Sequence, residues 1–302
     1  MIKKFIKRNL KYLLSKSPYF LQKAKNLIHE IEPNKNIFLD YPVSLNQRYS
    51  LCNPHLHISS FLKKNNYVYK SNLEYFLQFK DNYLEIPVSE LEKHEINDPT
   101  WINGFIPGLD LISLYGFLVK YKPNIYIEVG SGNSTKIAKR AIEDYQLQTT
   151  IFSIDPSPRN EINEICDHII RKPLEEVDLN VFNKLEKGDF LFIDNSHRVL
   201  MNSDAIAVFL DIIPNLKSGV IIQIHDVFLP YDYPQNWSDR FYSEQYMLAN
   251  ILIYGSDKFD VILPNFYISK LSELAQILNP IWDINILSGV ERHGASFWFM
   301  KK

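Results

Sequence analysis

From about residue 125 onward, short β-branched apolar runs alternate with longer segments of helical character. Residues 125–129, 150–154, 168–170, 190–193 and 220–224 are almost continuously apolar, the pattern of strands buried on both faces of a parallel sheet. Helical segments begin near Ser134, Arg159, Asp178 and Met201, the last centred on residues 204–210 and ending before Pro214. Parallel neighbours need crossovers, so the alternation predicts an α/β fold with helices on both faces of the sheet. A helix over 241–254, a strand over 259–263 and a final strand over 295–300 bring the count to seven. That last strand enters from a loop and is free to run antiparallel. Residues 107–119 read as a helix leading into the first strand, with Pro123 at its exit.

The pattern changes near residue 100. Before it come helical and irregular stretches, such as residues 73–77, with many tyrosines and few β patterns. The expected division is therefore residues 1–100, a mostly helical cap that adds substrate contacts, and residues 101–302, the sheet domain. Charge follows the same division: residues 1–100 hold 15 Lys/Arg and 10 Asp/Glu, against 18 and 25 in the remainder. Residues 1–30 hold eight Lys/Arg and one acid, Glu30, while Ile2, Phe5, Ile6, Leu10, Leu13 and Leu14 recur at roughly helical spacing. Such a segment reads as a solvated helix or as a weak peripheral contact with an anionic inner membrane surface. Nucleic acid is not an expected partner, because the acidic remainder has no recognisable binding module.

Composition adds exclusions. With 46% hydrophobic and 23% charged residues, 10 Gly and 16 Pro, the chain is neither fibrous nor low-complexity. No apolar run approaches the ~20 residues of a membrane span, and charges interrupt the first eight residues where a signal peptide would be apolar, so a cytoplasmic protein is expected. Two cysteines, Cys52 and Cys166, suffice for neither a disulfide framework nor a four-cysteine zinc site.

The candidate chemistry begins at Glu128-Val129-Gly130-Ser131-Gly132-Asn133-Ser134-Thr135, where the first strand turns into a helix. Ligands of open parallel sheets bind at such strand ends, and glycines there allow a close approach to the backbone. Asp155, at the end of the next strand, suits the two hydroxyls of a ribose. A dinucleotide fingerprint would place a third glycine at 135, where the chain has Thr135, and no Gly-Lys-Ser/Thr of a Walker loop follows. Glu128 would repel a pyrophosphate but suits a ligand with ammonium and sulfonium charges, as in S-adenosylmethionine.

With Ile154-Asp155, Phe192-Ile193-Asp194-Asn195-Ser196-His197 and Gly219-Val220-Ile221-Ile222-Gln223-Ile224-His225-Asp226, this motif resembles the class I S-adenosylmethionine-dependent methyltransferases over residues 100–302. The resemblance implies a Rossmann-like seven-stranded sheet with an antiparallel last strand. It also implies that Glu128, Gly130, Ser131 and Gly132 frame the methionine part of the donor, that Asp155 holds the ribose, and that Asn133 and Ser134 add polar contacts.

Asp194, His197, His225 and Asp226 reach adjacent strand ends, where an acceptor would face the sulfonium. Three readings stay open. Asp194, His225 and Asp226 bind a divalent metal, although His225 is an unusual partner for magnesium. Alternatively His225 or His197 is a general base, with Asp194 beside it. In the third, His197 caps the following helix and Asp226 bonds the loop 227–233. Either chemical reading favours a hydroxyl acceptor on a carbohydrate or secondary metabolite, methylated in line with assistance from a base or metal. Tyr231, Tyr233 and Trp237 are candidates to stack on it, and residues 101–105, with Asp110 and Tyr115 following, to form a lid over the donor. An NAD-dependent oxidoreductase and a non-catalytic adenosyl-ligand binder are the competing functions. Oligomeric state has no sequence signal.

Overall fold

A computed structural model describes residues 18–31, 43–93 and 95–302. The chain divides into two compact units, residues 1–46 and 47–302. In the first lies helix α1 (Pro18–Ile31). The apolar positions that suggested an amphipathic segment, Ile2 to Leu14, lie outside the described residues.

The second unit is built on one seven-stranded sheet: β1 (Ile125–Val129), β2 (Thr150–Ile154), β3 (His168–Ile170), β4 (Phe190–Ile193), β5 (Ile221–Ile224), β6 (Phe259–Pro264) and β7 (Phe297–Lys301). Their order is 3-2-1-4-5-7-6. Strands β1 to β5 pair in parallel, and β7 runs against both β5 and β6, as expected of the last strand. Every residue of β4 and β5 is buried, which explains the unbroken apolar run of β4 and the run of β5, interrupted only by Gln223. The order reverses between β1 and β4, leaving a crevice at their carboxyl ends.

The helices of residues 56–84, expected in a separate cap, belong to the same unit as the sheet. They are α2 (Leu56–Lys63), α3 (Asn66–Phe76) and α4 (Lys80–Leu84). Leu62, Tyr69, Leu73, Phe76 and Tyr83 are each fully buried in the common core. The α3 residue Asn72 donates to the Ile262 carbonyl of β6 at 2.9 Å, and Phe76 meets Phe117 edge to face at 5.0 Å. Phe117 belongs to α5 (Gly108–Tyr121), which packs against α6 (Asn133–Asp144).

The crossovers depart from the expected helices. After β2, the segment at Arg159 forms only a 3-10 turn, Asn163–Ile165. At Asp178 the chain forms a 3-10 helix, Leu179–Lys184. The segment at Met201 becomes α7 (Asp204–Ile206), then a π-helical stretch Ala207–Ile212 that ends in the turn containing Pro214. Two further helices flank the crevice: α8 (Glu244–Tyr254) and α9 (Asn265–Ser269). Among the described residues no helix is long and apolar enough to cross a membrane.

Candidate active site

A cavity of about 1030 Å³ opens at the carboxyl ends of the parallel strands. Gly130, Ser131, Gly132, Asn133, Ser134, Asp155, Asp194, His197, His225 and Asp226 all line it. Of the donor, acid and imidazole residues expected from the sequence, Glu128 does not, nor do the expected Tyr231 and Tyr233.

The turn after β1 is tightly determined. Gly130 sits at φ +81°, and a Cβ there would lie 1.8 Å from the Asp194 carbonyl oxygen. Asp194 N–H donates to the Val129 carbonyl at 2.8 Å, fastening the end of β4 to the same turn. The Ser131 N–H donates to Asp155 Oδ2 at 2.9 Å, and the Gly132 N–H to Thr135 Oγ1 at 3.0 Å. Asp155 Oδ1 accepts from Ser157 N–H at 2.7 Å, so the carboxylate is held from both sides. The next shell is polar too: Ser153 Oγ donates to Ser131 Oγ at 2.8 Å and accepts from Arg171 at 2.9 Å.

Glu128 acts from beneath this turn. It is fully buried and accepts from Thr135 Oγ1 at 2.5 Å. Burial pushes its carboxyl up to about 8, against hydrogen bonds from Ser134 and Thr135. It is therefore mostly neutral at pH 7, and the expected charge at the sulfonium does not come from it.

At the ends of β4 and β5, two carboxylates and two imidazoles form a ring. His197 Nε2 lies 3.2 Å from Asp194 Oδ1 and 3.4 Å from Asp226 Oδ2. His225 Nδ1 lies 3.5 Å from Asp194 Oδ1 and 3.6 Å from Asp226 Oδ1. Each imidazole is gripped from behind. His197 Nδ1 meets Glu244 Oε2 at 3.0 Å, and His225 Nε2 meets Asp110 Oδ2 at 3.1 Å. An ionised carboxylate only accepts, so a ring nitrogen that bonds one carries a proton, and each imidazole meets carboxylates at both of its nitrogens. His197 and Asp226 both adopt left-handed backbone, at φ 59° and 54°, a costly conformation for residues with a Cβ.

Asp110 and Glu244 were not expected here. Asp110, assigned from sequence to a lid, is instead buried at the start of α5. It accepts from His225, Asn265 and the N–H groups of Ala295 and Ser296. A Cβ at Gly294 would come 2.3 Å from its Oδ1, so that close approach requires glycine. A lone acid among Leu109, Leu111 and Ile112 was the available signal; Glu244, at the start of α8, offered none.

The electrostatics follow from these contacts. Burial opposes ionisation of Asp194, but the charge of His225 and the hydrogen bonds of both imidazoles hold it well below the usual carboxylate range. Burial likewise opposes charging of His197 and His225, yet their carboxylate partners raise both well above the ordinary imidazole value. Burial raises Asp226 and Glu244.

The structure changes the donor set for a cation. Ligand atoms of Asp194, His197 and Asp226 lie within 4.8 Å of one another, so His197 joins the two acids, and His225 flanks them. The purely structural reading is not what the contacts provide. Ser203, not His197, caps α7, accepting from Ile206 N–H at 3.4 Å. Asp226 turns to the two imidazoles.

Of the aromatic residues after β5, Trp237 lines the cavity, whereas Tyr233 is buried against Phe228 and Tyr242. Gly104, Phe105 and Ile106 line the mouth, but Trp101 is core, its indole N–H donating to the Tyr83 carbonyl at 3.1 Å.

Residues 127–227 match a family model described as "Methyltransferase domain". An uncharacterized protein of Archaeoglobus fulgidus is 31% identical over 92 residues, 28% of this chain and 42% of that protein. The chain thus spans less than half the length of this relative. The SAH-bound Podospora anserina methyltransferase PaMTH1 is 16% identical, with TM-score 0.40 over 64% of this chain and 78% of that one. Sheet order and glycine turn agree with the family match: residues 127–227 resemble a methyltransferase domain and lie within a Rossmann-like fold.

Proposed function

We propose that this domain moves the methyl group of S-adenosylmethionine to a hydroxyl oxygen of a carbohydrate or other small acceptor. The observation that carries the reading is the shared cavity: the glycine turn and Asp155 form one part, the Asp/His ring another. The donor supplies a sulfonium methyl with a good leaving group, so the chain mainly has to hold the reactants in line.

The residues present fit such a donor. Gly130, Ser131 and Gly132 form a close backbone wall, and Asp155 retains acceptor capacity beyond its two backbone bonds. Pro156 and Leu174 offer apolar surface for a base. Asp194, ionised and fastened to the turn, provides the negative charge that neutral Glu128 does not. The N–H groups of Ser131 and Gly132 are engaged by Asp155 and Thr135, which leaves them unavailable to a pyrophosphate and weakens the NAD reading.

For the acceptor, the imidazoles argue against a simple base. A proton held among carboxylates makes His197 and His225 poor acceptors of another. A divalent cation would satisfy the same carboxylates, with Asp194, His197 and Asp226 as ligands and His225 adjacent. When bound it would lower the pKa of an acceptor hydroxyl. Glu244 and Asp110 behind the imidazoles match the outer carboxylates that orient metal-binding histidines. The mixed nitrogen and oxygen set suits manganese or zinc better than magnesium.

Thermal unfolding with SAH, S-adenosylmethionine and NAD added separately tests the donor. A ligand of the native state at 100 times its Kd stabilises by about 2.7 kcal/mol. SAH and S-adenosylmethionine should stabilise; stabilisation by NAD alone overturns the reading. Chelator followed by a manganese, zinc and magnesium series tests the cation. No response to any of the three rules it out and returns the chemistry to the histidines.

A further inference from the structure

The acceptor part of the cavity has a chemistry of its own. Beyond the ends of β5 and β6 its wall is aromatic: Phe228 meets Trp237 at 5.4 Å and Phe266 at 4.8 Å between ring centroids, edge to face in both pairs. A cation rests at each end of this row. The Arg240 guanidinium lies 3.9 Å from the Trp237 centroid, and the Lys270 ammonium 4.7 Å from that of Phe266. Both side chains also line the cavity.

Neither cation forms an ion pair among the described residues; their contacts are with ring faces. Stacking on a ring leaves the in-plane donors of a guanidinium free for oxygen acceptors, and an ammonium keeps its donors as well. The Arg240 backbone is fixed, since its carbonyl accepts from Arg198 Nε at 2.9 Å. The wall is continuous with the reacting centre, because Tyr242 lies tilted against His197 at 4.8 Å between ring centroids and under Arg240 at 5.6 Å. Of the acids that line the cavity, Glu291 lies 3.7 Å from His293.

The cavity thus has two carboxylates, Asp194 and Asp226, at its reacting end and two cations without carboxylate partners across an aromatic wall. A neutral acceptor would use the wall and leave both cations without a counter-charge. We infer that the acceptor is an acidic sugar, a ring bearing a phosphate or carboxylate whose charge is met by Arg240 and Lys270. The ring packs on Trp237 and Phe266, and the hydroxyl to be methylated faces the Asp/His ring. This rests on the reading of the cavity as a methyl-acceptor site.

The test uses the full chain with glucose 1-phosphate, glucuronate and glucose as probes, measured by calorimetry at low ionic strength with and without SAH. Glucose 1-phosphate or glucuronate should bind at least tenfold more tightly than glucose, and raising salt should weaken only the acidic probes. Arg240→Gln and Lys270→Gln should each lower the affinity for the acidic probe about tenfold, Arg240→Lys should restore part of it, and SAH affinity should stay within twofold. Equal binding of glucose and the acidic sugars, or unchanged binding in both Gln variants, overturns the inference. The donor reading fails separately: acidic sugars that bind while SAH does not would retain the cation wall and refute the methyl donor.

Discussion

At the scale of single residues, the glycine turn makes two demands that sequence alone states only as a motif. Gly130 combines positive φ with a backbone neighbour too close for any Cβ. Gly130→Ala should therefore cost at least about 3 kcal/mol through strain and overlap, or displace the Asp194 backbone. Calorimetric unfolding reads the first outcome and loss of SAH affinity the second; an alanine variant with wild-type values of both would contradict the geometry. Glu128 offers a pH signature. Its carboxyl stands near 8 in the fold against 4.5 when unperturbed, so the folded state holds a proton that the unfolded state releases. Stability then falls as pH rises through this window, by up to about 1.4 kcal/mol per unit, and levels off above it. Glu128→Gln keeps an acceptor for Thr135 without the ionisation. Its advantage in melting temperature over wild type should widen from about pH 5 to pH 8 and then stay constant; an advantage that shrinks with pH would show that Glu128 is charged in the fold.

At the scale of elements, two helices serve the centre through their first turns: α5 delivers Asp110 to His225, and α8 delivers Glu244 to His197. Partners of this kind typically hold 10–100-fold of metal affinity. Glu244→Gln and Asp110→Asn should each lower manganese affinity by about that factor while SAH binding persists, measured by titration calorimetry. Equal manganese affinity in wild type and both variants would mean that the carboxylates serve packing alone. Strands were legible in the sequence because burial on both faces leaves an unbroken apolar run, as at Phe190–Ile193. The crossovers were less so: a proline such as Pro214 shifts the balance among α, 3-10 and π geometry by local terms that apolar spacing does not record. In the site, residues at strand ends were legible because strand ends are. Asp110 and Glu244 reach it only through tertiary packing, across 115 and 47 residues of chain.

At the scale of the whole molecule, the change in charge along the chain and the division into compact units do not coincide. Residues 47–100 join the sheet unit, whereas eight of the 15 Lys/Arg among the first hundred residues lie within 1–30. Basic character is thus concentrated in residues 1–46, none of whose described residues lines the cavity. We propose that residues 1–46 are dispensable for donor binding and serve contact with an anionic surface. Each Lys or Arg near such a surface adds about 1 kcal/mol, an attraction that weakens as the Debye length falls from about 10 Å at 0.1 M salt to about 3 Å at 1 M. A chain beginning at Gln47 should unfold cooperatively and bind SAH as tightly as the full chain. In co-sedimentation with phosphatidylglycerol vesicles, the full chain should bind at low salt, release at high salt and ignore phosphatidylcholine vesicles, while the shortened chain should stay in solution throughout. Equal vesicle binding by both chains would place the contact on the acidic sheet unit instead, and loss of SAH binding on shortening would mean that residues 1–46 help to build the donor site.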